Sequence, residues 1–463
     1  MHIKNLFFIA ILFASYGFNA QTHIGYLVKD LPGDTLLAST PAIIYPVTGP
    51  LQQITTKSGL VPLVDVVGGG TSAFVYKGRG GINFYRSSKK RCLRAGFLAG
   101  FSPFDSLYHQ NDWLVKKSRF SIDPMVRFSY QPNTYLNVQM GWDRNFYGEG
   151  LRSLFLSDYG RSCPFVSTKF SAGPLRYQAM ALLLKTTSFQ YKFNFSHFLD
   201  WKITKSIHFQ FFESVVFNSH DTLSNRPFEV SYLNPLAFIR PKEYAIGSGD
   251  NVIMGIGGTV KIGKGLMYSQ FVLDEFLLSA LKNNSHYWGN KYGFQLGYKI
   301  ATNKGKWKMF YRIETNGVRP YTYSHIGDQL SYSHGSMALA HPMGSNFLEG
   351  LLESKGTYKS VFYNATVIVG QKGVDSTFIN YGNNILLPYT TRPQDYNVYF
   401  FQGVSTRFIH VQLQLGYQFK RFENLGIFAE ILLRASKNSL GSSFTLSPLI
   451  GIRTFLWNDY RNY

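Results

Sequence analysis

Three groups of polar side chains carry most of the chemistry this sequence could perform. Arg144, Asn145, Glu149, Arg152 and Asp158 fall in one short stretch, and Asn234, Arg240, Glu243, Asp250 and Asn251 form a second group. Arg319, Tyr321, Tyr323 and His325 form a third. Fork-shaped guanidinium donors beside carboxylate and amide acceptors can grip a polyhydroxylated or carboxylated sugar, or they can brace one another. Tyr321 and Tyr323 are two apart, so an extended backbone would place both phenols on one wall. An aromatic face beside an arginine suits a sugar ring. Bracing stands as the alternative for each residue, because charges in an enclosed space must be paired.

Catalytic readings find less support. His325, His334 and His341 lie close together, but they lack the H-x-x-x-H or Cys-His spacing of a metal site, so neither metal nor cofactor is expected. Asp274 and Glu275 are adjacent, and neighbours on a strand point to opposite faces, so they cannot act as a facing pair in glycoside hydrolysis. A longer-range pair such as Glu149 with Asp250 stays open. Gly258 to Lys264 spells G-x-x-x-x-G-K, yet Gly265 stands where Ser or Thr is required. No local motif joins a serine to a histidine. The expectation is a binding protein and not an enzyme.

The elements that must position these groups are legible in composition and period. The chain has 463 residues, with aromatics at 17% and charged residues at only 16%. A soluble domain carries about 25% charged residues. Mean hydropathy is nevertheless -0.10, which excludes a bundle of membrane helices. Tyr292, Phe294, Leu296, Tyr298 and Ile300 alternate with Gly293, Gln295, Gly297 and Lys299. Residues 409–420 repeat the pattern, as do 189–196 and Trp307, Met309, Tyr311 and Ile313. Long strands with one apolar face and one polar or glycine face suit an all-β, antiparallel transmembrane β-barrel, in which closure pairs every backbone group inside lipid. Trp288, Trp307 and Tyr417 are expected in its interfacial aromatic girdles.

Organisation along the chain agrees with export. Residues 1–20, with Lys4 ahead of an apolar run and Ala20 before Gln21, read as a signal peptide. Residues 21–75 are punctuated by proline and read as a periplasmic lead-in or small plug, and 76–463 as the barrel. Longer irregular stretches at 143–165, 221–251 and 316–348 hold the polar groups. The two cysteines, Cys92 and Cys163, could pair or stay free. A formal charge of +21, of which only Lys4 belongs to the signal, would concentrate anions. Nucleic acid is a poor partner for an exported chain without a basic helix. Outer-membrane lipid and an anionic surface polysaccharide are better ones.

Those irregular stretches also carry a resemblance. DRNFYGEGLRSLFLSD (143–158), SYLNPLAFIRPKEY (231–244), GSGDNVIMGIGG (247–258), QFVLDEF (270–276), YWGNKYGFQLG (287–297), NGVRPYTYSH (316–325) and SYSHGSMALAHPMGSNFLE (331–349) are similar to the capsule-assembly Wzi family. NYGNNI (380–385) and TRPQDY (391–396) fit its Bacteroidetes branch, which includes the gliding-motility protein RemB. The resemblance implies a barrel of about 16 to 18 strands in the cell outer membrane. It implies a lectin that organises surface polysaccharide without catalysis, or alternatively an accessory of gliding motility or surface secretion acting through extracellular loops on protein partners. A porin is the third reading.

Overall fold

The alternating segments pair into an antiparallel sheet that closes on itself. The computed structural model describes residues 57–70, 75–88, 90–101, 120–218, 232, 249–283, 285–376, 379–419 and 425–454. In chain order the first strands are β1 (Lys57–Gly69), β2 (Val75–Ser87), β3 (Arg91–Phe101), β4 (Phe120–Tyr130), β5 (Leu136–Asp143) and β6 (Cys163–Ala172). Next come β7 (Leu175–Lys185), β8 (Tyr191–Lys202), β9 (Ile207–Phe217), β10 (Asn251–Ile262), β11 (Gly265–Leu273), β12 (Tyr292–Lys304) and β13 (Trp307–Val318). A small separate hairpin, β14 (Ser333–His334) and β15 (Met337–Ala338), precedes β16 (Phe347–Tyr358), β17 (Val361–Val374), β18 (Val404–Gln418), β19 (Leu425–Asn438) and β20 (Gly441–Thr454). Apart from that hairpin the strands form one 18-stranded sheet, and β1 pairs with both β2 and β20 to close it. Closure leaves no edge, which is what lets a sheet cross lipid.

The barrel begins earlier than the sequence suggests. Segment 1–20 and most of 21–75 lie outside the described residues, but β1 starts at Lys57, inside the stretch read as a lead-in. In β1 Val61, Leu63 and Val67 point inward with Asp65, and Leu60 and Val66 point outward, so both faces are largely apolar and alternation is weak. At 189–196 the strand begins only at Tyr191, because Phe189 sits in a turn with φ 68°.

The two ends of the barrel differ. One end has short turns only, several of two residues, and Gly263 (φ 59°) and Gly305 (φ 61°) supply the left-handed backbone those turns need. The long connections, 102–119, 144–162, 218–250, 274–291, 319–346 and 375–403, all leave from the other end. Outside, apolar side chains are exposed: Ile409, Leu413 and Leu415 on β18 and Ile427 and Ile431 on β19. Inside, Gln412 and Gln414 donate to Glu430 at 3.2 and 3.0 Å. Trp307 and Tyr417 are exposed at strand ends as girdle residues should be. Trp288 is a correction: it is buried in connection 274–291, where Arg392 covers its ring.

Two further features qualify the pattern. Cys92 lies beside the short β2–β3 turn and Cys163 at the long-loop end of β6; both are buried and free. On the outward face of β8 and β9, His197 Nδ1 lies 3.0 Å from Glu213, and both are buried. Phe195, Val215, Phe217 and Tyr232 pack around the pair, so this part of the wall is shielded by protein and not bare to lipid.

Candidate functional site

Two connections fold down into the lumen and decide what is left available. Connection 144–162 leaves β5 and reaches the opposite wall, where Leu151 packs with Leu351, Ile368 and Phe408 of β16, β17 and β18. Its aromatic residues fill the space beside β8 and β9: Phe155 stacks on Phe212 at 4.8 Å and Tyr147 on Phe198 at 4.9 Å. Connection 319–346 meets it. Ser157 N–H donates to Leu339 O at 2.7 Å, and Tyr332 Oη donates to Phe155 O at 2.8 Å. Lys192 on β8 holds the same connection through Nζ bonds to Asp328 O, Ser331 O and Ser333 Oγ at 2.6, 2.8 and 3.0 Å.

At the base of these loops lies a hub of buried polar groups. The Glu314 carboxylate accepts from Leu151 N–H (2.8 Å), Arg152 N–H (3.2 Å), Tyr268 Oη (2.7 Å) and Asn316 Nδ2 (2.9 Å). Asn316 Nδ2 also donates to Glu349, 2.9 Å away, whose Oε1 lies 2.8 Å from His341 Nε2. Such a network stabilises only when it is complete, and each member is a structural necessity for the next.

The first sequence group is absorbed into this interior. Arg144 bonds Asp123 at 2.5 Å and donates Nε to Gly160 O at 2.9 Å. Asn145 Oδ1 accepts from Arg127 at 3.0 Å, and Glu149 pairs with Lys299 at 2.7 Å. Arg152 is wholly buried with its Nε 3.8 Å from Glu349, its carbonyl accepts from Gln295, and Asp158 is buried nearby in the same loop. Of the second group, Asn234, Arg240 and Glu243 lie outside the described residues. Asp250 accepts from Tyr232 Oη at 2.9 Å, and Asn251 donates to Leu330 O at 2.9 Å. Glu149 and Asp250 are thus committed to different partners.

The third group corrects the shared-wall expectation. Tyr321 (φ 65°) and Tyr323 (φ 72°) are in turns and not in a strand, and their phenols diverge. Tyr321 Oη donates to Asn380 O and Tyr323 Oη to Leu154 O, each at 2.9 Å. Arg319 donates to Val398 O at 2.7 Å. His325 packs edge-on against Tyr389, and burial, helped by the Lys291 ammonium, pushes its imidazole down to about 4. His334 accepts from Lys185 N–H and is pushed down to about 3, again mainly by burial. The three histidines of this region go to three separate partners.

Above this interior sits a surface built from connections 274–291 and 375–403. Trp288 N–H donates to Asp395 O (2.8 Å), Val398 N–H to His286 O (2.9 Å) and Asn397 N–H to Ser285 O (3.1 Å), which zips the two connections together. The Arg392 guanidinium lies 3.9 Å from the Trp288 ring centroid, donates Nε to Asp395 at 2.7 Å and Nη1 to Tyr389 O at 3.0 Å. Lys291 Nζ supports Tyr389 from its ring face at 4.4 Å. Tyr396 and Tyr399 stand 55% and 51% exposed, braced by Tyr287 at 5.6 Å and His286 at 4.3 Å between ring centroids. These two connections spring from strands on either side of β13 and β16 and meet over connection 319–346. They form a roof whose outer surface faces away from the barrel. The motifs YWGNKYG and TRPQDY contained Tyr287, Trp288, Arg392, Asp395 and Tyr396 but not His286 or Tyr399, and only the cross-loop pairing reveals the surface.

Similarity to solved structures follows the fold. No protein-family model matches the chain, and no curated protein matches it in sequence. Wzi of Escherichia coli, an outer-membrane protein involved in group 1 capsule assembly and described as a carbohydrate-binding β-barrel, aligns with a TM-score of 0.60 at 12% identity over 86% of this chain and 84% of its own. OprD of Pseudomonas aeruginosa aligns at 0.45 and 9% over 86% and 94%. OccAB4 of Acinetobacter baumannii aligns at 0.46 and 8% over 88% and 99%. The chain has the fold of an outer-membrane β-barrel.

Proposed function

We propose that this protein is a non-enzymatic barrel of the outer membrane that binds and organises an anionic surface polysaccharide, as a distant member of the Wzi family. Short turns face the periplasm and the long connections face outward, following the general build of such barrels. The observation that carries the reading is the filled lumen. Connections 144–162 and 319–346 occupy it with stacked aromatics and a buried ionic hub, so the polar chemistry of the interior is spent on structure. What remains for a ligand is the outer surface of the loops. The net charge of +21 belongs to the whole chain and favours an acidic partner over a basic one. The likeness of fold to a carbohydrate-binding barrel adds support.

The test pairs two measurements on detergent-purified protein. Calorimetric titration with acidic polysaccharide released from the producing cells should give saturable binding that weakens in salt and persists. Insertion into planar bilayers should give no steady conductance. Steady channels without glycan binding would make it a porin. Neither channels nor binding, together with loss of cell spreading on deletion, would make it a motility or secretion accessory.

A further inference from the structure

We infer that the roof formed by residues 285–288 and 389–399 is the glycan-contact site, and that it takes a run of pyranose rings bearing carboxylates. The inference rests on the polysaccharide reading above and adds the place and the ligand chemistry. Three observations converge. First, Tyr396 and Tyr399 are large aromatic side chains more than half exposed, and no hydrogen bond holds either phenol among the described residues. Elsewhere in the loops, Tyr321, Tyr323 and Tyr332 are buried with their hydroxyls committed to backbone carbonyls. Second, the exposed rings are not mobile ornaments. The three backbone bonds between 285–288 and 395–398 fix them, and a site that is fixed before binding loses less entropy when it binds.

Third, the polar rim fits the ligand. Asp395 and Tyr389 hold one donor each on Nε and Nη1 of Arg392, so the guanidinium is aimed, while Nη2 has no hydrogen-bond partner among the described residues and stays open to a ligand. An aimed guanidinium is suited to a carboxylate. Gln394, Asp395 and Asn397 are exposed on the same segment as the two tyrosines and can read hydroxyls. A flat apolar face flanked by such groups matches a sugar ring, whose C–H face is apolar and whose edge is polar. Lipid is a weaker fit, because the surface stands over connection 319–346 and not on the outward wall.

The experiment measures affinity for the acidic polysaccharide of the producing cells in the detergent-solubilised full chain. Y396A with Y399A should reduce affinity about tenfold or more, the scale of an aromatic hot spot. Tyr396→Phe and Tyr399→Phe should restore most of it, since the ring is retained. Arg392→Gln should flatten the salt dependence. Tyr332→Phe, in the interior, should leave affinity unchanged, and heat-modifiable migration on gels checks that each variant is folded. Wild-type binding that the roof variants leave intact would overturn this assignment alone. Absence of binding by the wild-type chain would instead overturn the polysaccharide reading on which it rests.

Discussion

The interior of the loops and their roof use the same residue types to opposite ends. Below, Arg319, Tyr321 and Tyr323 are buried, and each has its polar atom on a backbone carbonyl of another connection. Above, Tyr396 and Tyr399 have their rings open to solvent, and Arg392 lies half-buried over Trp288. An arginine beside tyrosines marks a ligand site only when folding has not already used them. A lumen crossed by two long connections must satisfy many buried polar groups, and it consumes arginine, glutamate and tyrosine for that purpose.

The largest way to break this comparison is at the hub. Glu314→Ala leaves four donors without their acceptor and should destabilise the barrel by about 3–5 kcal/mol, read as a lower urea midpoint. A small change there would mean that the loops are not anchored in the lumen.

Acid should act next. His325 is neutral when folded, with its titration lowered from 6.5 to about 4 by burial, so the unfolded chain binds the extra proton first. Stability is therefore full above pH 6.5 and falls as pH drops toward 4. His325→Phe should shrink this slope in pH-resolved melting, with the remainder shared by His334 and His341, which burial also holds below the ordinary histidine range.

Smaller still, Tyr323→Phe orphans the Leu154 carbonyl and should cost about 1–3 kcal/mol in the same urea assay. At the lower extreme, Tyr396→Ala should change stability by no more than about 0.5 kcal/mol, because its ring is exposed. A stability loss at Tyr396 matching that at Tyr323 would erase the distinction between roof and interior.

Much of the fold was legible because lipid outside and polar contacts inside impose period two, as in β12 and β18. β1 escaped because Leu60, Val61, Leu63, Val66 and Val67 make both its faces largely apolar, with Asp65 as an inward charge. The irregular stretches 143–165 and 316–348 were correctly located, but their direction was not, since nothing local says whether a loop turns into a barrel or away from it. The roof was least legible. Its hydrogen bonds join Trp288 to Asp395 and His286 to Val398, partners that only the pairing of β12, β13, β16 and β17 side by side brings together.

Hydroxyl-radical footprinting of the native protein with and without the acidic polysaccharide separates a committed interior from an available roof that holds glycan. The expected result is strong modification of Tyr396 and Tyr399 that the polysaccharide suppresses, with Tyr321, Tyr323 and Tyr332 unmodified in both states. Modification of the interior tyrosines in the native state, or protection falling on them and not on the roof, would contradict it.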